Sequence, residues 1–264
     1  MSNPTTALPG APLRVEHLSK HFGRGRSRVR ALDDVSLEFA AGSFTAVLGA
    51  SGSGKTTLLQ CAAGLERPSS GRVSLCGADP ASLSDRKRTL LRRRHAGFVF
   101  QDFSLLPELT VAENIALPLR LDHKHITRAA LQDAAARVGL SPAQLRRVPG
   151  ELSGGQQQRA AIARALLSRP EVIFADEPTG ALDPHTAWRV LRLLREAADR
   201  ATGVIVTHDP QVTRFCDRAV LLYAGRVDAV VERPEPGDVA ARLHALGERG
   251  TATEETMNAA RSMA

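Results

Sequence analysis

The sequence predicts an α/β fold in which a largely parallel β-sheet is covered by helices on both faces. Two observations predict it: short apolar segments such as "FTAVL", "EVIFAD" and "GVIVT" recur along the chain, and stretches of helical pattern lie between them. Strands buried on both faces are apolar throughout, and helical crossovers between them produce a parallel sheet. Hydrophobic residues make up 43% of the 264 residues, which is enough for a sizeable core, although only 4% are aromatic.

The first part of the chain predicts strands on either side of one helix. Between Leu13 and about Phe39, short β-like segments alternate with turns. The segment "SFTAVLG" predicts a buried strand ending at Gly49, and a helix follows over about 54–64. "GRVSLCG" predicts another short strand, and "AGFVFQ" is an apolar segment that stops at Gln101.

A helical insert follows, and the α/β alternation then resumes. Helical stretches broken by proline extend from about 102 to 148. "EVIFADEP" and "GVIVTHD" then predict strands, and "AVLLYAGRV" predicts one final strand. Between the first two, Asp183 and Pro184 suit the start of a helix as N-cap and first residue, and its apolar spacing predicts one buried face formed by Trp188, Leu191, Leu194 and Ala198. From Pro234 the composition turns polar, without a clear core pattern, and predicts a helical or disordered tail.

The charge, the cysteines and the hydropathy limit which partners and which compartment are possible. The net charge of +7 favours an anionic partner such as nucleic acid, a nucleotide or an anionic membrane surface, unless basic segments such as "GRGRSRVR" are simply solvated. The three cysteines have no paired spacing, so spacing predicts neither a disulfide framework nor a zinc site. The N-terminal segment lacks the features of a signal peptide, and no apolar segment reaches the roughly 18 residues that span a bilayer. We therefore expect a protein of a reducing compartment that acts at a membrane only through another chain.

A phosphate-binding loop is the most specific motif. "GASGSGKT", from Gly49 to Thr56, fits the pattern G-x-x-x-x-G-K-[ST] and lies between a predicted strand and a predicted helix. Its glycines let backbone N–H groups close around phosphate oxygens, Lys55 should bridge the β- and γ-phosphates, and the Thr56 hydroxyl should bind Mg²⁺. The predicted nucleotide-binding residues of this segment are Gly49, Ser51, Gly52, Ser53, Gly54, Lys55, Thr56 and Thr57.

Polar residues end three of the predicted strands. Asp176 and Glu177 follow a buried strand, at the edge of the sheet where ligands bind in open α/β folds. We expect Asp176 to hold Mg²⁺ and Glu177 to act as a general base toward water. His208 and Gln101 end two other apolar strands, where they could position that water; Gln101 could also touch Mg²⁺.

A second glycine-rich turn opens another helix. "ELSGGQQQRAAIARAL" begins at Glu151 with a Ser-Gly-Gly turn and continues with a helical pattern. Free N–H groups and the helix dipole at such a turn also favour an anion. The chain therefore predicts two phosphate sites in one domain.

Together these motifs resemble the ATP-binding subunit of an ABC transporter. "GASGSGKT", "FQ", "LSGGQQQR", "VIFADEP", "ALD" and "TH" occur in the order and rough spacing of that family, over about Leu13 to Val231. The resemblance implies a P-loop NTPase fold with a RecA-like parallel sheet core over about 13–101 and 160–231. It also implies an N-terminal antiparallel β subdomain and an inserted α-helical subdomain over about 102–159, with 232–264 as a C-terminal tail.

The resemblance also explains the second phosphate site. In this family two ATP-binding domains form a head-to-tail dimer, and each ATP contacts the P-loop of one subunit and the LSGGQ of the other. Ser153, Gly154, Gly155 and Gln156 would then bind the partner's nucleotide. Phe22 matches the aromatic position that stacks on adenine, and Asp183 in "ALD" matches the loop that couples the two sites. ATP and Mg²⁺ are the implied cofactors, and ATP hydrolysis is the implied reaction.

Further details resemble the macrolide-exporter, lipoprotein-release and cell-division subgroup. "GFVFQDFSLLPELTVAENIALPLRL" and "EPTGALD" carry this resemblance. It implies an integral-membrane permease partner and a cytoplasmic position on the inner face of the cell membrane. Phe103, Leu105 and Leu106 are candidate contacts with that permease, or core of the helical insert.

Two other function classes were weighed against the transporter. The basic charge favours a nucleic-acid-linked ABC ATPase of translation or repair. However, the chain has one P-loop, and its insert is short and lacks sustained heptads, so we expect no nucleic-acid partner. A non-hydrolysing nucleotide-binding scaffold is disfavoured by Glu177 and His208.

Overall fold

Two β-sheets organise the part of the chain that the computed structural model describes, residues 10–23 and 25–262. A three-stranded sheet has the order β2-β1-β4, and a six-stranded sheet has the order β5-β6-β7-β3-β8-β9. The strands are β1 (Leu13–Phe22), β2 (Val29–Phe39), β3 (Phe44–Leu48), β4 (Ser70–Leu75), β5 (Ala96–Val99), β6 (Val172–Asp176), β7 (Thr202–Thr207), β8 (Arg218–Tyr223) and β9 (Arg226–Glu232).

The six-stranded sheet is parallel except at one edge. β5, β6, β7, β3 and β8 pair in parallel, and β9 pairs with β8 in the antiparallel sense. The carboxyl ends of β3, β5, β6 and β7 therefore meet at one edge of the sheet, as the prediction of a parallel sheet requires.

The strands of this sheet contribute side chains to two hydrophobic cores, one on each face of the sheet. On β7, Ile205 belongs to one core, whereas Val204 and Val206 belong to the other. On β6, Ile173 and Phe174 divide in the same way. Successive side chains of a strand point to opposite faces, so burial on both faces explains why these segments are apolar throughout.

Helices cover both faces of the sheet. They are α1 (Lys55–Ala62), α2 (Asp85–His95), α3 (Val111–Leu121), α4 (Arg128–Arg137), α5 (Gly154–Leu167), α6 (Pro184–Ala198) and α7 (Pro236–Ser262). On one face, α1 packs with the antiparallel sheet, and on the other, α3 to α6 form the second core with α7. The helix α5 runs without a break across position 160, where the resemblance placed a subdomain boundary.

Capping residues in the sequence explain where two of these helices begin. Thr110 and Glu113 form a capping box at α3, in which each side chain bonds the other residue's backbone N–H. Asp183 caps α6 by accepting a bond from the Thr186 N–H at 3.0 Å, with Pro184 as the first helical residue. The prediction that this helix starts at Asp183 and Pro184 is confirmed.

Two expectations about elements are wrong. The segment predicted as one final strand is the hairpin β8–β9, because Ala224 and Gly225 adopt positive φ angles of 47° and 79° and reverse the chain. Trp188 does not belong to the buried face of α6; it is 42% exposed, and Val190 is buried instead. The tail, predicted to be helical or disordered, forms the helix α7, and Val239 and Leu246 of this helix are buried in the second core.

Candidate nucleotide-binding and catalytic site

The P-loop connects the end of β3 to the start of α1. Gly52 and Gly54 adopt positive φ angles of 77° and 101°, which favour glycine. A Cβ on Gly54 would lie 2.3 Å from the Ala31 carbonyl oxygen, and one on Gly49 would lie 2.3 Å from the Leu222 carbonyl oxygen. The loop therefore requires these glycines, because neighbouring backbone fills the space that a side chain would need.

Lys55 turns back over this loop. Its Nζ donates to the carbonyl oxygens of Gly49 at 2.9 Å and of Ala50 at 2.8 Å. Burial lowers the pKa of Lys55, although the nearby carboxylates Glu177 and Asp176 act in the opposite direction. The ammonium group is thus held over the loop, where it is free to exchange carbonyl partners for phosphate oxygens.

Thr56 and Asp176 face each other from α1 and the end of β6. The Thr56 hydroxyl donates to Asp176 Oδ1 at 3.4 Å, and Asp176 is only 7% exposed. Burial raises the pKa of this carboxyl, despite the Thr56 hydrogen bond. A hydroxyl and a carboxylate are hard oxygen donors of the kind that Mg²⁺ prefers, so the two side chains fit a magnesium ion.

Glu177 is held in place by three donors. Thr207 Oγ1 donates to Glu177 Oε2 at 2.9 Å, and the backbone N–H of His208 donates to Oε1 at 3.0 Å. The His208 Nδ1 lies 2.8 Å from the same Oε1. The Glu177 backbone has a φ of 45°, a rare value for glutamate that the bond from its N–H to the Val206 carbonyl at 2.9 Å supports. Thr207, the last residue of β7 and the neighbour of His208, was not among the predicted site residues.

These residues line one cleft of 760 Å³ together with Gln101 and Phe22. Of the predicted site residues, the cleft contains Phe22, Ser51, Gly52, Gly54, Lys55, Thr56, Thr57, Gln101, Asp176, Glu177 and His208. Gly49 belongs to the same loop beneath it. Ser53 is buried, with its Oγ beside Gly49, so only its backbone could face a ligand.

Phe22 forms the apolar wall of the cleft at the end of β1. Its ring is 41% exposed, and the Lys20 Nζ lies 4.8 Å from the ring centroid. Lys20 is itself tied to Glu66 by an ion pair of 2.6 Å. The arrangement presents an accessible aromatic surface beside the P-loop, which suits the stacking of a planar base.

Gln101 lies in a loop that Arg164 of α5 stabilises through hydrogen bonds. Arg164 donates to the carbonyl oxygens of Phe103 at 2.9 Å and Ser104 at 2.5 Å. Both residues have positive φ angles, 63° and 45°, so these two bonds stabilise an otherwise unfavourable backbone. Arg164 was missed in the sequence, where it is one polar residue within an apolar helical pattern; no local signal identifies its role.

The second predicted phosphate site opens α5 and is not part of the cleft lining. Ser153 is the N-cap of this helix and forms a capping box with Gln156, whose Oε1 accepts from the Ser153 N–H at 3.1 Å. None of Ser153, Gly154, Gly155 and Gln156 lines the P-loop cleft, and Asp183 lies outside it as well, as the cap of α6. The structure brings together the P-loop, the strand-end residues and Phe22 in the cleft. The signature turn lies beside Ala181, a residue of the cleft wall, since a Cβ on Gly155 would be 3.3 Å from the Ala181 carbonyl oxygen.

Comparisons with known proteins identify this arrangement. The family described as ABC transporter matches residues 32–180. The chain belongs to the ABC transporter family. A lipoprotein-releasing system ATP-binding protein, LolD, of Bordetella pertussis is 45% identical over 223 residues, covering 83% of this chain and 96% of that protein. An uncharacterized ABC transporter ATP-binding protein of Mycobacterium tuberculosis is 42% identical over 230 residues, covering 86% of this chain and 92% of that protein.

Solved structures agree with the family. The ATP-binding cassette MJ0796, bound to ADP and phosphate in a dimeric post-hydrolysis state, is 36% identical and superimposes with a TM-score of 0.80. The match covers 84% of this chain and 99% of that one. The ABC-type fold and the assignment to the ATP-binding, ATP-hydrolysing subunit are thereby confirmed. Within residues 10–23 and 25–262, no helix combines the length and the apolar character that a membrane span needs.

The buried carboxylate gives a prediction about stability. The folded state raises the pKa of Asp176 above its ordinary value of 3.8, so stability falls as pH rises through that raised value and the charged form predominates. We expect Asp176→Asn to raise the melting temperature of the nucleotide-free protein by a few degrees at pH 7. The advantage should shrink as the pH is lowered toward 4. Thermal unfolding in EDTA at several pH values measures this, and a lower melting temperature at pH 7 would contradict it.

Proposed function

We propose that this chain works as a head-to-tail dimer that binds and hydrolyses two ATP molecules and thereby drives an integral-membrane permease. The observation that carries the proposal is that the P-loop cleft of one subunit lacks the second phosphate site. The P-loop cleft holds Lys55, Glu177 and His208 but none of the signature residues 153–156. A second copy can complete the cleft with its own α5 N-terminus, and the MJ0796 cassette is described as dimeric.

Each predicted residue has a role in this proposal. Phe22 stacks on the adenine, while the backbone N–H groups of the P-loop and Lys55 bind the phosphates. Ser153, Gly154, Gly155 and Gln156 of the other subunit bind the γ-phosphate, and Asp183 lies at the contact between the two subunits. The resulting list of nucleotide-contacting residues is Phe22, Gly49, Ser51, Gly52, Ser53, Gly54, Lys55, Thr56, Thr57, Ser153, Gly154, Gly155, Gln156 and Asp183.

Thr56, Asp176 and Gln101 are the proposed residues that hold Mg²⁺ with the nucleotide. The pairing of the Thr56 hydroxyl with the buried Asp176 carboxylate supports the first two. Gln101 lines the same cleft with an exposed side chain. When bound, Mg²⁺ neutralises charge that develops on the phosphate oxygens.

Glu177 is the proposed general base. Its carboxylate accepts bonds from Thr207 and His208, which fix its direction. Both His208 bonds reach Oε1, so the acceptor site left for a water molecule is on Oε2. A carboxylate oxygen has two acceptor directions, so Glu177 can take a proton from the attacking water while keeping these donors. His208 and Gln101 position that water, and Lys55 with the partner's Ser153 stabilises negative charge on the γ-phosphate.

The loop after Gln101 connects the cleft to a groove on the outside of the domain. This groove has a volume of 310 Å³ and is lined by Ser104 of the loop, by the last turns of α2 and α3, by β5, and by Arg164 of α5. Of the three candidate contacts, Leu106 is 44% exposed, Leu105 packs against the core, and Phe103 lies beneath Gly154. We propose that the permease docks on this groove and the adjoining loop, where Leu106, two residues after the groove-lining Ser104, is the accessible contact.

The relatives guide the choice of transported substrate and position. Several bear the name of a lipoprotein-releasing system ATP-binding protein, in species of Bordetella and Rhodospirillum. Lipid-anchored proteins are therefore the first substrate class to test. The proposed position of the chain is cytoplasmic, on the inner face of the cell membrane, through its permease.

A pull-down tests the permease. We expect tagged Glu177→Gln, isolated with Mg·ATP from detergent-solubilised cells, to retain a multi-span membrane protein identified by mass spectrometry. Leu106→Asp should reduce that recovery, whereas Val230→Asp should not, because Val230 is similarly exposed but lies on β9, at the opposite edge of the six-stranded sheet from β5. Recovery of nucleic acid or ribosomal proteins without a membrane protein would favour the alternative, a nucleic-acid-linked ABC ATPase.

A further inference from the structure

Three potential metal ligands meet at the edge of the sheet opposite the nucleotide cleft. Ligand atoms of Cys76, His95 and Glu171 all lie within 4.8 Å of one another. His95 and Glu171 immediately precede β5 and β6, whereas Gln101 and Glu177 follow those strands. The five residues of β6 separate Glu171 from Glu177 by about 16–20 Å, so the cluster is distinct from the ATP site.

The backbones of all three residues are fixed by hydrogen bonds. The Cys76 N–H donates to the Pro12 carbonyl at 2.7 Å, and a φ of 48° places Cys76 in a tight turn after β4. The Glu171 N–H donates to the His95 carbonyl at 3.0 Å, and the Glu171 carbonyl accepts from the Thr202 N–H at 2.7 Å. The three side chains are thus held together by the fold rather than by proximity in sequence.

The ligand types and the free space suit a borderline-soft divalent ion. A thiolate, an imidazole and a carboxylate are the donors that zinc accepts, at about 2.0–2.3 Å from the metal. The cluster lines an open cleft of 860 Å³, which leaves room for a water molecule at a fourth position. The His95 Nδ1 lies 2.7 Å from Glu171 Oε1, so these two groups must separate slightly, which the exposed Glu171 side chain allows.

A reactive, redox-sensing thiol is the main competing interpretation of Cys76. Burial and the neighbouring Glu171 raise the pKa of its thiol to about 12, so the free side chain holds its proton and is a poor nucleophile. A bound cation changes this balance because it replaces the proton on sulfur, which is released to solvent. The imidazole proton then occupies Nε2 of His95 while Nδ1 binds the metal.

We propose that Cys76, His95 and Glu171 form a binding site for Zn²⁺ or a similar divalent transition ion, with water as the fourth ligand. The site joins the turn after β4, the end of α2 and the start of β6. It therefore ties the antiparallel sheet to the core sheet. The spacing of the cysteines predicts no such site, because its three ligands come from separate parts of the chain.

Cobalt spectroscopy on the purified, nucleotide-free full chain tests the proposal. Chelator-treated protein is titrated with Co²⁺ and then with Zn²⁺. We expect one equivalent of Co²⁺ to produce a near-ultraviolet thiolate-to-cobalt band, and Zn²⁺ to abolish it. Cys76→Ser should remove the band, and His95→Gln or Glu171→Gln should weaken Co²⁺ binding by about tenfold or more. Zn²⁺ should also raise the melting temperature of the wild type but not of Cys76→Ser.

Matched variants serve as controls in the same titration. Cys61→Ala, His123→Gln and Glu196→Gln change residues of the same types elsewhere in the chain and should leave the band and the affinity unchanged. The proposal is overturned if wild-type protein shows no thiolate band at one equivalent. It is equally overturned if the band persists in Cys76→Ser, or disappears in Cys61→Ala instead.

Discussion

Replacing Glu177 by glutamine is expected to reduce ATP turnover by a factor of about 10²–10⁴, the usual contribution of a general base. The amide keeps the size of the side chain and its acceptor for Thr207 Oγ1 or the His208 N–H, but it cannot take a proton from water. Nucleotide affinity should therefore remain near that of the wild type. The measurement is steady-state phosphate release together with equilibrium ATP binding.

Two comparisons isolate the role of the Glu177 carboxylate. Glu196→Gln makes the same chemical change at an exposed glutamate of α6, paired with Arg137 at 3.8 Å, and should leave turnover unchanged. Thr207→Val removes a donor to Glu177 while retaining the carboxylate, and should lower turnover less than Glu177→Gln does. Unchanged turnover in Glu177→Gln would show that another group activates the water.

Replacing Lys55 by alanine is expected to weaken ATP binding by about 10- to 100-fold. Hydrogen bonds to charged groups contribute about 1.5–3 kcal/mol, and Lys55 is the cation that lies over the P-loop carbonyls. The fold should survive, because Lys55 is only half-buried and its two partners can bond water. Equilibrium binding and thermal unfolding measure the two effects separately.

Lys124→Ala is the matched control for this lysine. Lys124 is exposed, is paired with Asp122 at 2.7 Å and does not line the cleft, so its loss should leave ATP affinity unchanged. An Lys55→Ala protein that is folded and binds ATP as tightly as the wild type would contradict the proposed role of the P-loop.

The placement of the strand-end residues could be predicted from the sequence because it depends on local order. A glycine-rich turn between a strand and a helix, or an acidic pair after an apolar strand, places its residues at one known edge of a parallel sheet. Lys55, Asp176, Glu177 and His208 therefore lie in one cleft as predicted. The position of these residues could be inferred from short segments without knowledge of distant contacts.

Features that depend on distant contacts could not be predicted. Arg164 contacts the loop at Phe103 and Ser104, about sixty positions away in the chain. Trp188 has the spacing of a buried residue of α6 but is partly exposed. Its ring contacts Phe215 edge-on, and the Arg214 guanidinium lies over it. Val239 and Leu246 are buried although their surroundings in the sequence are polar. Periodicity identifies a face of a helix, but the neighbours that cover it come from elsewhere.

The most direct test of the head-to-tail account is the molar mass of Glu177→Gln by size-exclusion chromatography with light scattering. We predict a monomer without nucleotide and a dimer with Mg·ATP. Adding Ser153→Arg, at the cap of α5, should abolish the dimer, whereas Thr127→Arg, at the cap of α4, should not. A Glu177→Gln protein that binds ATP yet stays monomeric, or an Ser153→Arg variant that still dimerises, would contradict the account.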